Sequence, residues 1–432
     1  MLKADALTSL LLAVPMVMLA CQAGGWAVRR IGQPPVVGEM LAGVMLGPSV
    51  LGWLAPGLRE QLLPDSVLPF ISALGNLALL AFLFLMGLEL DVRSLRAAKN
   101  AVVAVSLASI LLPAAVGAAL GLAMYPRLAP PGVGRLAFVL FIAVSLSITA
   151  FPVLARILTD RGLDGSYLGT FVMACAAVDD AIAWCALIAV VALCTAGSPL
   201  SALGAVALVV VLVAMLLLLR PALRALLTRA GRSSDDLVLV ILCAGLFLSA
   251  YTTDRIGVHP AFGAFLFGAA IPRGVAAVER SAARMRAVFV PALLPLFFVS
   301  TGLKTDLGHL SFELWGWGLL ILAGAVCGKW IGAAGATRLT GSDWRWASAV
   351  GTLMNCRGLT ELVVLGIGLQ IGVITPQLYA VLVLMAIITT AVTVPVLRRL
   401  TRNDPRLEAR QASPEPAPAA LAATTAPETA RS

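Results

Sequence analysis

The strongest constraint in the chain is a succession of apolar runs, each about 18 to 30 residues long and free of Lys and Arg, separated by short loops that carry the basic residues. At 1.5 Å per helical residue, such a run covers the roughly 30 Å of a bilayer's hydrocarbon core. Backbone N–H and C=O groups in that core must be satisfied within the segment, so the runs fold as helices. Composition agrees: 60% of the 432 residues are hydrophobic and 12% are charged, against roughly 25% charged in soluble domains. The chain therefore reads as an all-α polytopic membrane protein, which excludes a soluble enzyme or a nucleic-acid binder. The formal net charge of +9 reports topology, because the basic residues lie between spans.

Apolar runs between charge or Pro/Gly clusters predict about 13 transmembrane helices, near 7–28, 36–54, 68–88, 100–125, 136–155, 165–195, 200–219, 237–253, 257–272, 287–303, 314–337, 346–369 and 376–397. The first follows Lys3 but lacks a small-residue cleavage site ahead of a soluble domain, so it counts as a span. The ninth is short enough to be a re-entrant piece. With thirteen spans, one side of the membrane holds 20 Lys and Arg and the other holds six. That asymmetry puts the N-terminus outside and the C-terminus in the cytoplasm. All seven cysteines sit in apolar runs without a CxxC spacing and read as packing residues. Residues 403–432, rich in Ala, Pro, Glu and Thr, read as a disordered cytoplasmic tail.

Six ionisable residues fall inside spans: Glu39, Asp179, Asp180, Lys329, Arg357 and Glu361. Each costs at least about 2.5–3.5 kcal/mol at a helix centre unless paired or hydrated. Asp179 and Asp180 lie mid-span in ACAAVDDAIAW. Adjacent helical positions diverge by about 100°, so one carboxylate can face a cavity while the other turns to a neighbouring helix. Lys329, between Gly328 and Gly332, needs a carboxylate partner. A static Asp179–Lys329 pair is one reading, and it leaves Asp180 unpaired and thus a candidate functional acid. Arg357 and Glu361 stand i, i+4 and read as a structural ion pair. Glu39 is close enough to its helix end to reach the interface.

Two spans carry breaks. Pro152 in SLSITAFPVLARIL removes a helical amide, with Ser145, Ser147 and Thr149 beside it, and Asn355-Cys356-Arg357-Gly358 interrupts the twelfth span. The breaks lie seven spans apart, and an odd offset reverses direction. This pattern predicts inverted repeats over about 7–195 and 237–397, within a transmembrane domain of residues 1–400, whose crossed half-helices make a small-cation site.

The segments VVGEMLAGVMLGPSVLG (36–52), LMGLELD (85–91), SITAFPVLARILTD (147–160), VDDAIAW (178–184), HPAFGAFLFGAAIP (259–272), LPLFFVSTGLKTDL (294–307) and NCRGLTELVVLGIG (355–368) resemble the monovalent cation:proton antiporters, in the branch with Kef-type, NapA-type and plant cation/H+ exchangers. The resemblance implies an NhaA/NapA-like fold of core and dimerisation domains, with two crossed broken helices, in a bacterial inner membrane and as a homodimer. It implies Asp180 as the carboxylate that takes a monovalent cation or a proton, Asp179 as its partner acid and Lys329 as the pairing base. Ser147, Thr149, Pro152 and Asn355 would surround the site. An Asp pair with Lys is similar to electrogenic members, which favours more than one H+ per cation. No cofactor is implied: the transported species are Na+ or K+ and H+, with Na+ favoured. A cation channel is the weaker alternative, since it needs a continuous pore.

Overall fold

Charge-free apolar stretches become long helices, and the chain breaks them where Pro, Gly or polar clusters fall. The computed structural model of the chain describes residues 6–89, 100–163, 166–195, 220–255, 259–308 and 310–402, with 214 and 218. The first half holds α1 (Ala6–Arg30), α2 (Pro35–Leu46), the short α3 (Leu51–Leu54) and α4 (Pro56–Leu62), α5 (Leu68–Glu89), α6 (Asn100–Leu128), α7 (Arg135–Ser147), α8 (Phe151–Asp160) and α9 (Tyr167–Thr195). The second holds α10 (Arg220–Ser233), α11 (Asp235–Arg255), α12 (Pro260–Ala270), α13 (Ala276–Val288), a π turn at Phe289–Leu293, α14 (Leu294–Leu303), α15 (Phe312–Leu339), α16 (Trp344–Met354), α17 (Leu359–Gln370) and α18 (Pro376–Thr401).

Among the described residues, ten segments are long and apolar enough to cross a membrane, and the pair α16–α17, bent by 43°, makes eleven. These coincide with eleven of the thirteen expected spans. The expected ninth span is α12, whose 11 residues rise only about 16 Å, roughly half the hydrocarbon core. Of the expected seventh span at 200–219 only 214 and 218 are among the described residues, and the tail from 403 lies outside them. Large apolar side chains such as Leu11, Leu111, Leu319 and Phe312 face outward, as a lipid-facing surface requires.

The helices pack in two groups. One contains α6, α7, α8, α9, α15, α16, α17 and α18; the other contains α1, α2, α5, α11, α12, α13 and α14. In the first group, α6 lies along α7 as α15 lies along α16, and α9 touches both α7 and α8 as α18 touches both α16 and α17. In the second, α1 packs on α2 as α11 packs on α12, and α2 packs on α14 as α12 packs on α5.

Glycines make these crossings close. Gly38 meets the Gly24 backbone and Gly263 meets the Ser249 backbone, Gly302 meets the Gly43 backbone while Gly43 meets the Phe298 carbonyl, and Gly268 and Gly87 abut the carbonyls of Phe84 and Phe265. Pro35, Gly38 and Gly43 recur as Pro260, Gly263 and Gly268 at a constant offset of 225 positions, the offset that also relates Gly24 to Ser249. The α1–α2 and α11–α12 arms of the second group thus share a pattern of close contacts. Helix interfaces in lipid are enriched in small residues, which let backbones approach closely and pack.

A methyl at Gly302 overlaps the Gly43 backbone, whereas Gly335 has open space around it. Gly302→Val is therefore expected to cost about 1–3 kcal/mol, read as a lower Tm and folded yield in detergent. Gly335→Val should leave both unchanged, and equal behaviour of the two variants would contradict the close-crossing account.

Candidate functional site

The two broken helices meet at their breaks. Between α7 and α8 the chain is extended at Ile148–Ala150, and Pro152 stands at the start of α8, where its missing N–H belongs to the orphan set of a helix N-terminus. Between α16 and α17 the break covers Asn355–Gly358. A backbone bond stitches them: Ala150 N–H donates to the Cys356 carbonyl at 3.0 Å. Four half-helix ends therefore converge, two presenting free carbonyls and two presenting free amides.

Two buried cations fill the carbonyl end of α7. Arg357 donates from Nη2 to the Leu146 carbonyl (2.6 Å) and from Nη1 to that of Ser145 (2.9 Å). Lys329 donates from Nζ to the Ser147 carbonyl. Both cations have no exposed surface. Each sits at the negative end of the α7 dipole, where positive charge is favoured. Arg357 also pairs with Glu361 Oε2 at 2.8 Å, and Glu361 lies in the first turn of α17, where the dipole favours an anion. Thr390 of α18 holds the break from behind, accepting from Arg357 N–H and donating to the Arg357 carbonyl.

The two aspartates of α9 have opposite surroundings. Asp179 Oδ2 receives Lys329 Nζ at 3.1 Å, Thr149 Oγ1 at 2.8 Å and Ser109 Oγ at 2.8 Å. Thr149 also lies 3.2 Å from the Met354 carbonyl, so the Asp179 cluster reaches the edge of the second break. Asp180 is 3% exposed, and both of its carboxylate oxygens are buried without a hydrogen-bond partner among the described residues. The Asn355 side-chain oxygen and the Ser145 hydroxyl are buried in the same condition. One face of α9 is thus saturated, while the next position holds an open carboxylate.

Ser109 was not among the residues singled out by sequence. The available signal was the pair Ser106 and Ser109 in an otherwise apolar α6, where a hydroxyl needs a partner; Ser106 donates to the Cys175 carbonyl at 3.1 Å. Gly328 and Gly332 bring α15 against the backbone of α6 at Pro113 and Ala108, which carries Lys329 to the site. Glu39 lies outside this cluster, 3.9 Å from Arg156 of α8. Among the described residues no His, Cys, Asp and Glu cluster has the makings of a resident metal centre.

About eleven apolar spans with two interrupted helices crossing at buried charges make the architecture of a polytopic secondary transporter. The chain belongs to the family of sodium/hydrogen exchangers, transmembrane, which it matches over residues 16–402. It is 39% identical to the Na+/H+ antiporter NhaS4 of Synechocystis over 87% of this chain and 93% of that one. It is 32% identical to the K+/H+ antiporter 1 of Saccharomyces cerevisiae over 95% of this chain, and spans about half (48%) of that protein's length. Its fold is similar to that of the sodium proton antiporter MjNhaP1 from Methanocaldococcus jannaschii, with a TM-score of 0.65 at 14% identity, covering 93% of this chain and 99% of that one.

Removing one member of a buried ion pair strands its partner, which typically costs about 3–5 kcal/mol. Arg357→Met and Glu361→Leu should each destabilise by that order, and the double variant by clearly less than their sum. Denaturation of the four proteins in detergent measures the coupling, and additive losses would show that the two side chains do not support each other.

Proposed function

We propose that the chain is a cation:proton antiporter in which Asp180 carries either a monovalent cation or a proton. The observation that supports this most is the contrast on α9, where Asp179 is saturated by Lys329, Thr149 and Ser109 while Asp180 is buried with both oxygens open. Charge balance points the same way. Asp179, Asp180 and Glu361 against Lys329 and Arg357 leave the fully ionised cluster with one uncompensated negative charge, which one proton or one monovalent cation neutralises. A buried, unpaired charge is costly, so the site is stable in either loaded form and unstable when empty. If only loaded forms change their facing, the two fluxes are coupled in opposite directions without ATP.

Asp179 and Lys329 then form the second, basic half of the site. Na+ is the favoured cation, and the relatives named for Na+ and for K+ keep both in the test. Charge balance alone gives one proton per cation; where the Lys329–Asp179 pair opens as the cation binds and Lys329 gives up its proton, that second proton makes more than one exchanged per cation, the stoichiometry we favour. We read residues 7–195 and 237–397 as inverted repeats, on the seven-span offset and the recurrent packing. We place the N-terminus outside and the C-terminus in the cytoplasm of a bacterial inner membrane, on the distribution of basic loops, and take the protein to be a homodimer.

The test is proton flux in proteoliposomes under an imposed pH gradient, with Na+ or K+ added separately to wild type and Asp180→Asn. Wild type should move protons when one of the cations is added, and Asp180→Asn should not while remaining folded. Lys329→Ala should weaken stability or voltage dependence more than cation binding. Normal exchange by Asp180→Asn, or cation flux without protons, would overturn the reading.

A further inference from the structure

A second charged feature lies away from the crossing. Where the α1–α2 turn meets the ends of α8 and α18, a cavity of about 290 Å3 is lined by Arg29, Arg161 and Arg398 together with Gly32, Gln33 and Asp160. That volume is at the low end of small-ligand cavities, roughly 300–1,000 Å3. Gly32 has φ +75°, and a side chain there would run into the Arg398 guanidinium. Its carbonyl receives Arg398 Nη2 at 3.2 Å and Arg161 Nη2 at 3.5 Å.

Those two are the hydrogen bonds the three guanidiniums make among the described residues. Each guanidinium carries five N–H donors; Arg29 and Arg398 are exposed and Arg161 is half-buried, so most of the donors around the cavity face solvent, where an anion can reach them. Arginines at helix C-termini ordinarily serve the last carbonyls. Here none of the three bonds a terminal carbonyl of α1, α8 or α18, and both bonded ones share the turn carbonyl of Gly32. None is in a salt bridge among the described residues, and Asp160, the one carboxylate in the lining, is not within bridging distance of any of them. Three guanidiniums against one carboxylate leave the lining with two positive charges in excess; Glu39, which interacts electrostatically with Arg29, lies 3.9 Å from Arg156, and adding that pair leaves the excess unchanged. Burial, and then the like charge of Arg398, push the Arg161 guanidinium below its ordinary value. Gln33, in the same lining, has its Oε1 buried without a partner among the described residues.

We propose that this cavity binds a phosphate-bearing dianion, a phosphomonoester, held by Arg29, Arg161 and Arg398. Planar guanidiniums match phosphate oxygens bidentately, and two negative charges complete the balance. The α1–α2 turn belongs to one helix group, and α8 and α18 belong to the other. An occupant therefore ties the groups together and slows any motion that separates them. The phosphate can come from a lipid headgroup or from a soluble compound, and the chemistry is the same.

The test is thermal stability of the full chain in detergent at fixed ionic strength, titrated with inorganic phosphate, glycerol 3-phosphate or short-chain phosphatidic acid, with chloride as the control. A saturable rise in Tm is expected. Arg161→Gln and Arg398→Gln should each weaken the apparent affinity about tenfold or more, from loss of a charge-assisted bond. A rise with phosphatidic acid alone assigns the site to a lipid headgroup, and a rise with glycerol 3-phosphate as well assigns it to a soluble phosphomonoester. Arg161→Lys and Arg398→Lys keep the charge without the fork; they should bind with intermediate affinity, and they carry the comparison where a glutamine variant does not fold. No stabilisation beyond chloride, or unchanged affinity in the arginine variants, overturns the proposal. The readout is binding, so failure here leaves the cation-exchange reading intact, and failure of that reading leaves this one testable.

Discussion

The free carbonyl end of α7 is the constraint on which the rest of the site depends. A helix that stops in the middle of an apolar protein leaves four carbonyls without amides, and here the Ser147 hydroxyl takes the first of them, that of Val144. The chain fills that end with Arg357 and Lys329, which donate to Ser145, Leu146 and Ser147. Those cations then require anions, and Glu361 and Asp179 supply them at 2.8 and 3.1 Å. Interrupted helix, buried bases and buried acids are one linked arrangement, in which each part satisfies a group that another part exposes.

Asp180 is the remainder of that arrangement. It shares a helix and a depth with Asp179 but, being one residue on, points elsewhere and receives nothing from Lys329, Thr149 or Ser109. Adjacent acids on a helix thus divide into one fixed by its neighbours and one left for a mobile partner. The close glycine crossings of the second helix group are a different kind of order: they are backbone against backbone, tolerant of no added methyl and independent of charge.

Much of this was legible in the sequence because the membrane makes charge expensive. Asp179, Asp180, Lys329, Arg357 and Glu361 stood out against apolar runs, and Pro152 and Asn355-Cys356-Arg357-Gly358 marked both breaks. Neutral hydroxyls cost less and stood out less, so Ser109 and Thr390 were passed over. The carbonyl partners of Arg357 were invisible because backbone atoms have no sequence signature, and the i, i+4 pairing with Glu361 accounted for only part of its hydrogen bonding. The offset of 225 positions relating Pro35, Gly38 and Gly43 to Pro260, Gly263 and Gly268 was present in the letters. It was missed because glycines in membrane helices are common one at a time and informative only as a spaced set. The basic loops were read for topology alone, which hid the fact that Arg29, Arg161 and Arg398 come together.

The central claim is that proton and cation occupy the same carboxylate. It is tested most directly by counting protons released into weakly buffered detergent solution when Na+ or K+ binds to the purified protein, in wild type and in Asp180→Asn. The account predicts proton release that saturates with cation binding in wild type, and neither binding nor release in the variant. Cation binding by Asp180→Asn with wild-type proton release would contradict it.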